Sequence, residues 1–85
     1  MAKNQVTFTK VGNKYEAEYT GASGVLQMRH GKNALVEVFC NAGAGYVKID
    51  EMRGDNIIRA LNMAGLDSVK LVSDAEVQQC VVKTF

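Results

Sequence analysis

The segment Asp55-Asn56-Ile57-Ile58-Arg59-Ala60-Leu61-Asn62-Met63-Ala64-Gly65 carries two incompatible local patterns, and each leads to a different architecture. Read as a helix, it sets Ile57, Ile58, Leu61 and Ala64 on one face against Asn56, Arg59 and Asn62, with Asp55 as N-cap and Gly65 as left-handed stop. Read as a strand over 56–63, it joins a chain that is β-like nearly everywhere else. The local pattern leaves both readings open.

The flanking residues weigh on the choice. Downstream, Ser73-Asp74-Ala75-Glu76 spells a capping box before Val77, Cys80, Val81 and Thr84, which would permit a second short helix. Against it, Val69 and Leu71 alternate with Lys70, and the closing residues are rich in Val, Thr and Phe, types that suit a pleated surface. A bulge near Gln78-Gln79 would align Val77 with Cys80 and Val82. Upstream, alternation with period two is clear. Tyr15, Ala17 and Tyr19 oppose Lys14, Glu16 and Glu18; Val6 and Phe8 precede them. Leu26 with Met28, Val36 with Val38 and Cys40, and Val47 with Ile49 continue the series as apolar faces. Gly12-Asn13, Gly21-Ala22-Ser23-Gly24, Gly31-Lys32-Asn33 and Asn41-Ala42-Gly43-Ala44-Gly45 read as the reversals between them.

About five hairpin-linked strands with one apolar face require a cover. If 56–63, 68–73 and 76–84 are strands, about eight short strands form a small all-β antiparallel sandwich, a reading favoured mainly by the resemblance given below rather than by the local pattern. The alternative is an α+β domain, a five-to-six-stranded antiparallel sheet with a helix at about 55–64.

Composition narrows the function classes. The 85 residues are 47% hydrophobic and 22% charged, with 10 Lys+Arg against 9 Asp+Glu, a balance unlike that of a disordered chain or a nucleic-acid binder. One domain is the expectation. Such a domain buries only about 60–65% of the surface its unfolded chain exposes, so a neighbouring copy is a natural source of further stability. Met1 to Thr20 scatter Lys and Glu among apolar residues, from which neither a signal peptide nor a lipid-inserted segment is expected.

The inventory for chemistry is thin. His30 is the only imidazole; between Arg29 and Gly31 it reads as a solvated histidine beside a turn. Asp50, Glu51 and Asp55 surround Arg53-Gly54 but lack the ordered spacing of a calcium loop, so solvation is expected there rather than metal. Arg53-Gly54-Asp55 matches an integrin-type tripeptide too short to carry weight. Gly43-Ala44-Gly45 lacks the Lys-Ser/Thr ending of a phosphate loop and reads as a hairpin tip. Cys40 and Cys80 lie among apolar neighbours and are expected to be buried free thiols. No catalytic residue, cofactor or metal is expected, and neither nucleic acid nor membrane as partner.

Surplus apolar residues are more informative. Leu35 and Phe39 flank Glu37 opposite the Val36, Val38, Cys40 face, so this strand is apolar on both sides; Tyr46 and Phe85 can extend the same surface. Either this strand is central in a two-layer core, or its second face meets another subunit; on the second reading Leu35, Phe39, Tyr46 and Phe85 are the candidate interface of a homo-oligomer.

Gly54-Asp55-Asn56-Ile57-Ile58, Leu61-Asn62, Ala64-Gly65, Ser68-Val69-Lys70-Leu71-Val72-Ser73 and Ala75-Glu76-Val77 resemble the closing strands of small β-sandwich proteins of tailed-bacteriophage virions, of the capsid-decoration and head-fibre type. Val6-Thr7-Phe8, Lys14-Tyr15-Glu16-Ala17 and Val25-Leu26-Gln27-Met28 are similar to their first hairpins. The resemblance implies a non-enzymatic virion protein, made in the host cytoplasm, that binds a major capsid protein or another virion protein, or self-associates. A carbohydrate- or surface-binding module using Tyr46 and the Asn41–Gly45 and Glu51–Asn56 loops is the alternative, as is an adaptor or regulatory role for the α+β form.

Overall fold

The computed structural model describes residues 2–85 and is all-β, with every strand pairing antiparallel. Seven strands follow in chain order: β1 (Lys3–Gln5), β2 (Thr9–Val11), β3 (Lys14–Tyr19), β4 (Gly24–Asn41), β5 (Val47–Leu61), β6 (Ser68–Ser73) and β7 (Gln79–Thr84). The helix alternative at 55–64 is overturned. Residues 56–61 pair with 24–29 of β4, and this ladder supplies the backbone partners that a helix would have found within itself.

Hydrogen bonding links all seven strands into one sheet that curls into a half-barrel; the two layers expected of a sandwich are continuous through β4 and β5. The first part of β4 pairs with β7, and the second part, on the same edge, pairs with β6. β4 changes neighbours because it bends, as strands do where a sheet turns a corner. The residues at the corner are legible. Gly31 lies at φ 80° within a register shift between Arg29 and Ala34, and Gly54 lies opposite, paired with Ala34, at φ 153°. Side chains disfavour both conformations, so glycine on each strand permits the fold-over. Gly31-Lys32-Asn33 is thus a bulge inside one 18-residue strand, not the reversal expected from its composition. Glu51–Asn56 likewise belongs to β5 rather than to a loop.

The concave side holds one core. Leu26, Met28, Val36, Leu71, Val69, Val82 and Cys80 are at most 2% exposed, and Ala17, Tyr19, Met52 and Ile57 join them. Each buried Leu or Val of this set contributes roughly 1.5–3 kcal/mol relative to exposure. The backbone ladder extends across the corner through Gln78 N–H to the Arg29 carbonyl at 2.8 Å and Asp74 N–H to the Leu35 carbonyl at 3.1 Å. Ser73-Asp74-Ala75-Glu76 is therefore the turn between β6 and β7, and its capping signals serve other bonds: Asp74 Oδ1 accepts from Leu35 N–H at 2.9 Å.

Three strands lie at edges: β1 beside β7, β2 beside β3, and β5 beside β4. The first two are three residues each, whereas among the described residues no strand pairs the outer side of the 15-residue β5.

Candidate functional site

β5 bears most of what the fold leaves unsatisfied. Among the exposed large hydrophobics, Val47, Ile49 and Ile58 all belong to it, at 62%, 62% and 68% exposure. The period-two reading of Val47 and Ile49 as a buried face is corrected here. They alternate as a buried strand does, but an edge position with no further strand beside it leaves them in solvent, and Ile49 falls in a register shift between the pairs made by Val38 and Phe39. Ile58 pairs with Gln27, the partner of its outward-facing position, so the exposed apolar residues lie on both sides of the strand.

Beside this edge the two arms of the half-barrel diverge around a cavity of about 430 Å³. Buried Leu26, Val38, Met52, Val69 and Leu71 form its floor, and exposed Ile49, Asp50, Arg59 and Asn62 stand at its rim. An Arg59 Nη1–H donates to Asp50 Oδ2 at 3.0 Å across the opening. Asp50 Oδ1 accepts from Glu51 N–H at 2.8 Å; that bond first, and Arg59 second, holds the Asp50 carboxyl below its ordinary range. Inward-pointing charges and bulges of this kind discourage indiscriminate pairing at an edge.

The four residues of the candidate interface do not form one surface. Leu35, Phe39 and Tyr46 are half-buried, whereas Phe85 is 77% exposed and lies by the start of β4, its N–H donating to the Ser23 carbonyl. Phe39 and Tyr46 are brought together: the Lys70 ammonium sits over both rings, at 5.2 and 5.0 Å from their centroids. Tyr46 Oη donates to Glu18 Oε2 at 2.6 Å and shares a hydrogen bond with Ser68 Oγ at 2.7 Å. Desolvation, then the Glu18 bond, pushes the phenol above its usual range. Close by on the outer face, Glu37 bonds Lys48 and Lys14, which hold its carboxyl below the ordinary value. This face is internally paired.

His30 is buried at 3% exposure, not solvated as its place beside Gly31 suggested. It continues the inward series Leu26, Met28, and the chain does not reverse after it. Its Nε2 lies 3.1 Å from Ser73 Oγ, which donates to the Ala75 carbonyl at 2.6 Å and so accepts from the imidazole. Nδ1 has no hydrogen-bond partner among the described residues. Burial depresses the His30 pKa, partly opposed by the Asp74 charge. Ser73 is 0% exposed, so the His30–Ser73 pair has no approach for a substrate.

Cys40 and Cys80 are free thiols, the first half-buried and the second buried. Among the described residues, no three His, Cys, Asp or Glu side chains converge as a metal site. β5 was missed as a functional surface because edge position is a property of the assembled sheet; the only local trace is its surplus of Val and Ile among charges. Compared with known proteins, the chain matches no family model, no curated protein and no solved structure.

Proposed function

We propose that this protein is a non-enzymatic structural module that self-associates by strand addition at β5. The observation that carries the reading is the placement of Val47, Ile49 and Ile58 on both sides of one unpaired 15-residue edge. A strand laid alongside either arm of β5 satisfies the open backbone groups of that arm and covers the apolar side chains exposed on it. Two copies meeting edge to edge form an isologous contact, the commonest symmetry of small oligomers. Added burial suits a domain whose own core is small for its surface.

A virion setting, with a capsid or other virion protein as further partner, is supported by the sequence resemblance alone. The outer surface of Leu35, Phe39 and Tyr46 remains available to such a partner, secondary to β5 because its polar groups already have partners. The test is sedimentation velocity over a range of concentrations. The wild-type chain associates, and Ile49→Lys and Ile58→Lys variants with unchanged β circular dichroism remain monomeric; a wild-type chain that stays monomeric throughout refutes the proposal.

A further inference from the structure

The turn between β6 and β7 clasps the corner of β4. Leu35 N–H donates to Asp74 Oδ1 at 2.9 Å, and Asp74 N–H returns a bond to the Leu35 carbonyl at 3.1 Å. On the other side of the bulge, Gln78 N–H donates to the Arg29 carbonyl at 2.8 Å. His30 sits between these ties at 3% exposure. Its Nε2–H donates to Ser73 Oγ at 3.1 Å, and that hydroxyl is committed to both backbone groups of Ala75. Nδ1 is therefore the unprotonated nitrogen. Among the described residues it alone of the buried side-chain polar atoms lacks a hydrogen-bond partner. Buried polar groups are seldom left in that condition.

A proton can join the neutral imidazole only at Nδ1. There it creates a buried cationic donor that faces no acceptor, a costly arrangement. Two moves relieve it. The ring can turn to the Asp74 carboxylate, where it competes with Leu35 N–H, or it can swing into solvent and give up Ser73. Either move undoes a tie of the clasp. The charged side chains around the corner include Arg29 and Lys32 on β4, Asp55 on β5, and Asp74 and Glu76 in the turn; Asp74 is the one whose charge acts on the ring.

We infer that His30 is an acid-operated release for this clasp: protonation at Nδ1 frees the turn at 73–78 from the corner of β4 while the ladders on either side hold. The clasp lies where β4 folds over together with β5, so its release loosens the hinge between the two arms. The inference does not rest on self-association at β5.

The test is native-state hydrogen exchange in low urea between about pH 7.5 and 5.5. After correction for intrinsic exchange, the Leu35, Asp74 and Gln78 amides open more readily on acidification, by up to about tenfold per pH unit. Their opening is insensitive to urea, whereas amides at the centres of β4 and β6 exchange through urea-sensitive global unfolding. His30→Gln, whose amide can still donate to Ser73, abolishes the acid response and keeps the clasp shut. Asp74→Asn keeps an acceptor for Leu35 N–H, removes the charge that favours the imidazolium, and extends the response to lower pH. Clasp amides that exchange only together with the core at every pH, a local opening that does not vary with pH, or an acid response that survives His30→Gln would each overturn the inference.

Discussion

Arg59 and Asp50, nine positions apart on β5, meet in an ion pair at 3.0 Å. A straight strand would hold their Cα atoms about 30 Å apart. The contact exists because β5 doubles back at Gly54, in step with β4 at Gly31, and the same bend that joins these side chains opens the cavity beneath them.

The corner should therefore be sensitive to side chains. At Gly54 the backbone lies at φ 153°, and at Gly31 at φ 80°, where an added Cβ would also press on the Gln78 amide. Gly54→Ala is expected to cost roughly 1–3 kcal/mol and Gly31→Ala roughly 1–2 kcal/mol. Urea unfolding followed by circular dichroism measures both, and midpoints equal to wild type would count against a corner that depends on glycine.

His30 should make stability depend on pH in a defined direction. It faces Ser73 and the Asp74 charge, and its pKa in the folded protein lies below the ordinary 6.5. Well above pH 6.5 both folded and unfolded imidazoles are neutral, so the group has no differential effect there. As pH falls through 6.5 the unfolded chain takes up the proton first, and stability declines until the folded-state pKa is passed, then levels. Thermal melts in this window, before carboxylates titrate, should show the decline in wild type and its absence in His30→Phe. A wild-type curve that is flat or rises on acidification contradicts the buried neutral ring.

The two thiols should react unequally. Burial pushes Cys80 up to about 12, and raises Cys40 from a half-buried position. Native protein treated with iodoacetamide at neutral pH should be alkylated at Cys40 first, with Cys80 modified only on unfolding. Peptide mapping by mass spectrometry reads the order, and equal labelling of the native state would show that Cys80 is not held inside.

The strands of the N-terminal half were legible from alternation, because Tyr15-Ala17-Tyr19 and Leu26-Met28 show their inner faces without reference to any neighbour; the all-β class as a whole was not, since 55–64 fits a helix equally well by its local pattern. The corner was not. Gly31-Lys32-Asn33 has the composition of a turn, and only the pairing of Arg29 and Ala34 with Asn56 and Gly54 reveals that the chain continues. Losing that continuity also misplaced His30, whose even-numbered position already set it on the inner face with Met28. The helical spacing of Ile57, Ile58 and Leu61 yielded to a ladder with 24–29 that no local rule contains. Edge position at β5 was invisible for the same reason. Val47 and Ile49 look buried in any window that omits the missing neighbour.

Self-association at β5 is tested most directly by hydrogen–deuterium exchange of its backbone amides at several protein concentrations. Amides of β5 that point away from β4 should exchange fast in dilute solution and become protected as concentration rises, with the short edges β1 and β2 unaffected. Exchange of those β5 amides that stays fast and independent of concentration, in a chain that nonetheless forms oligomers, would place the contact elsewhere and contradict strand addition.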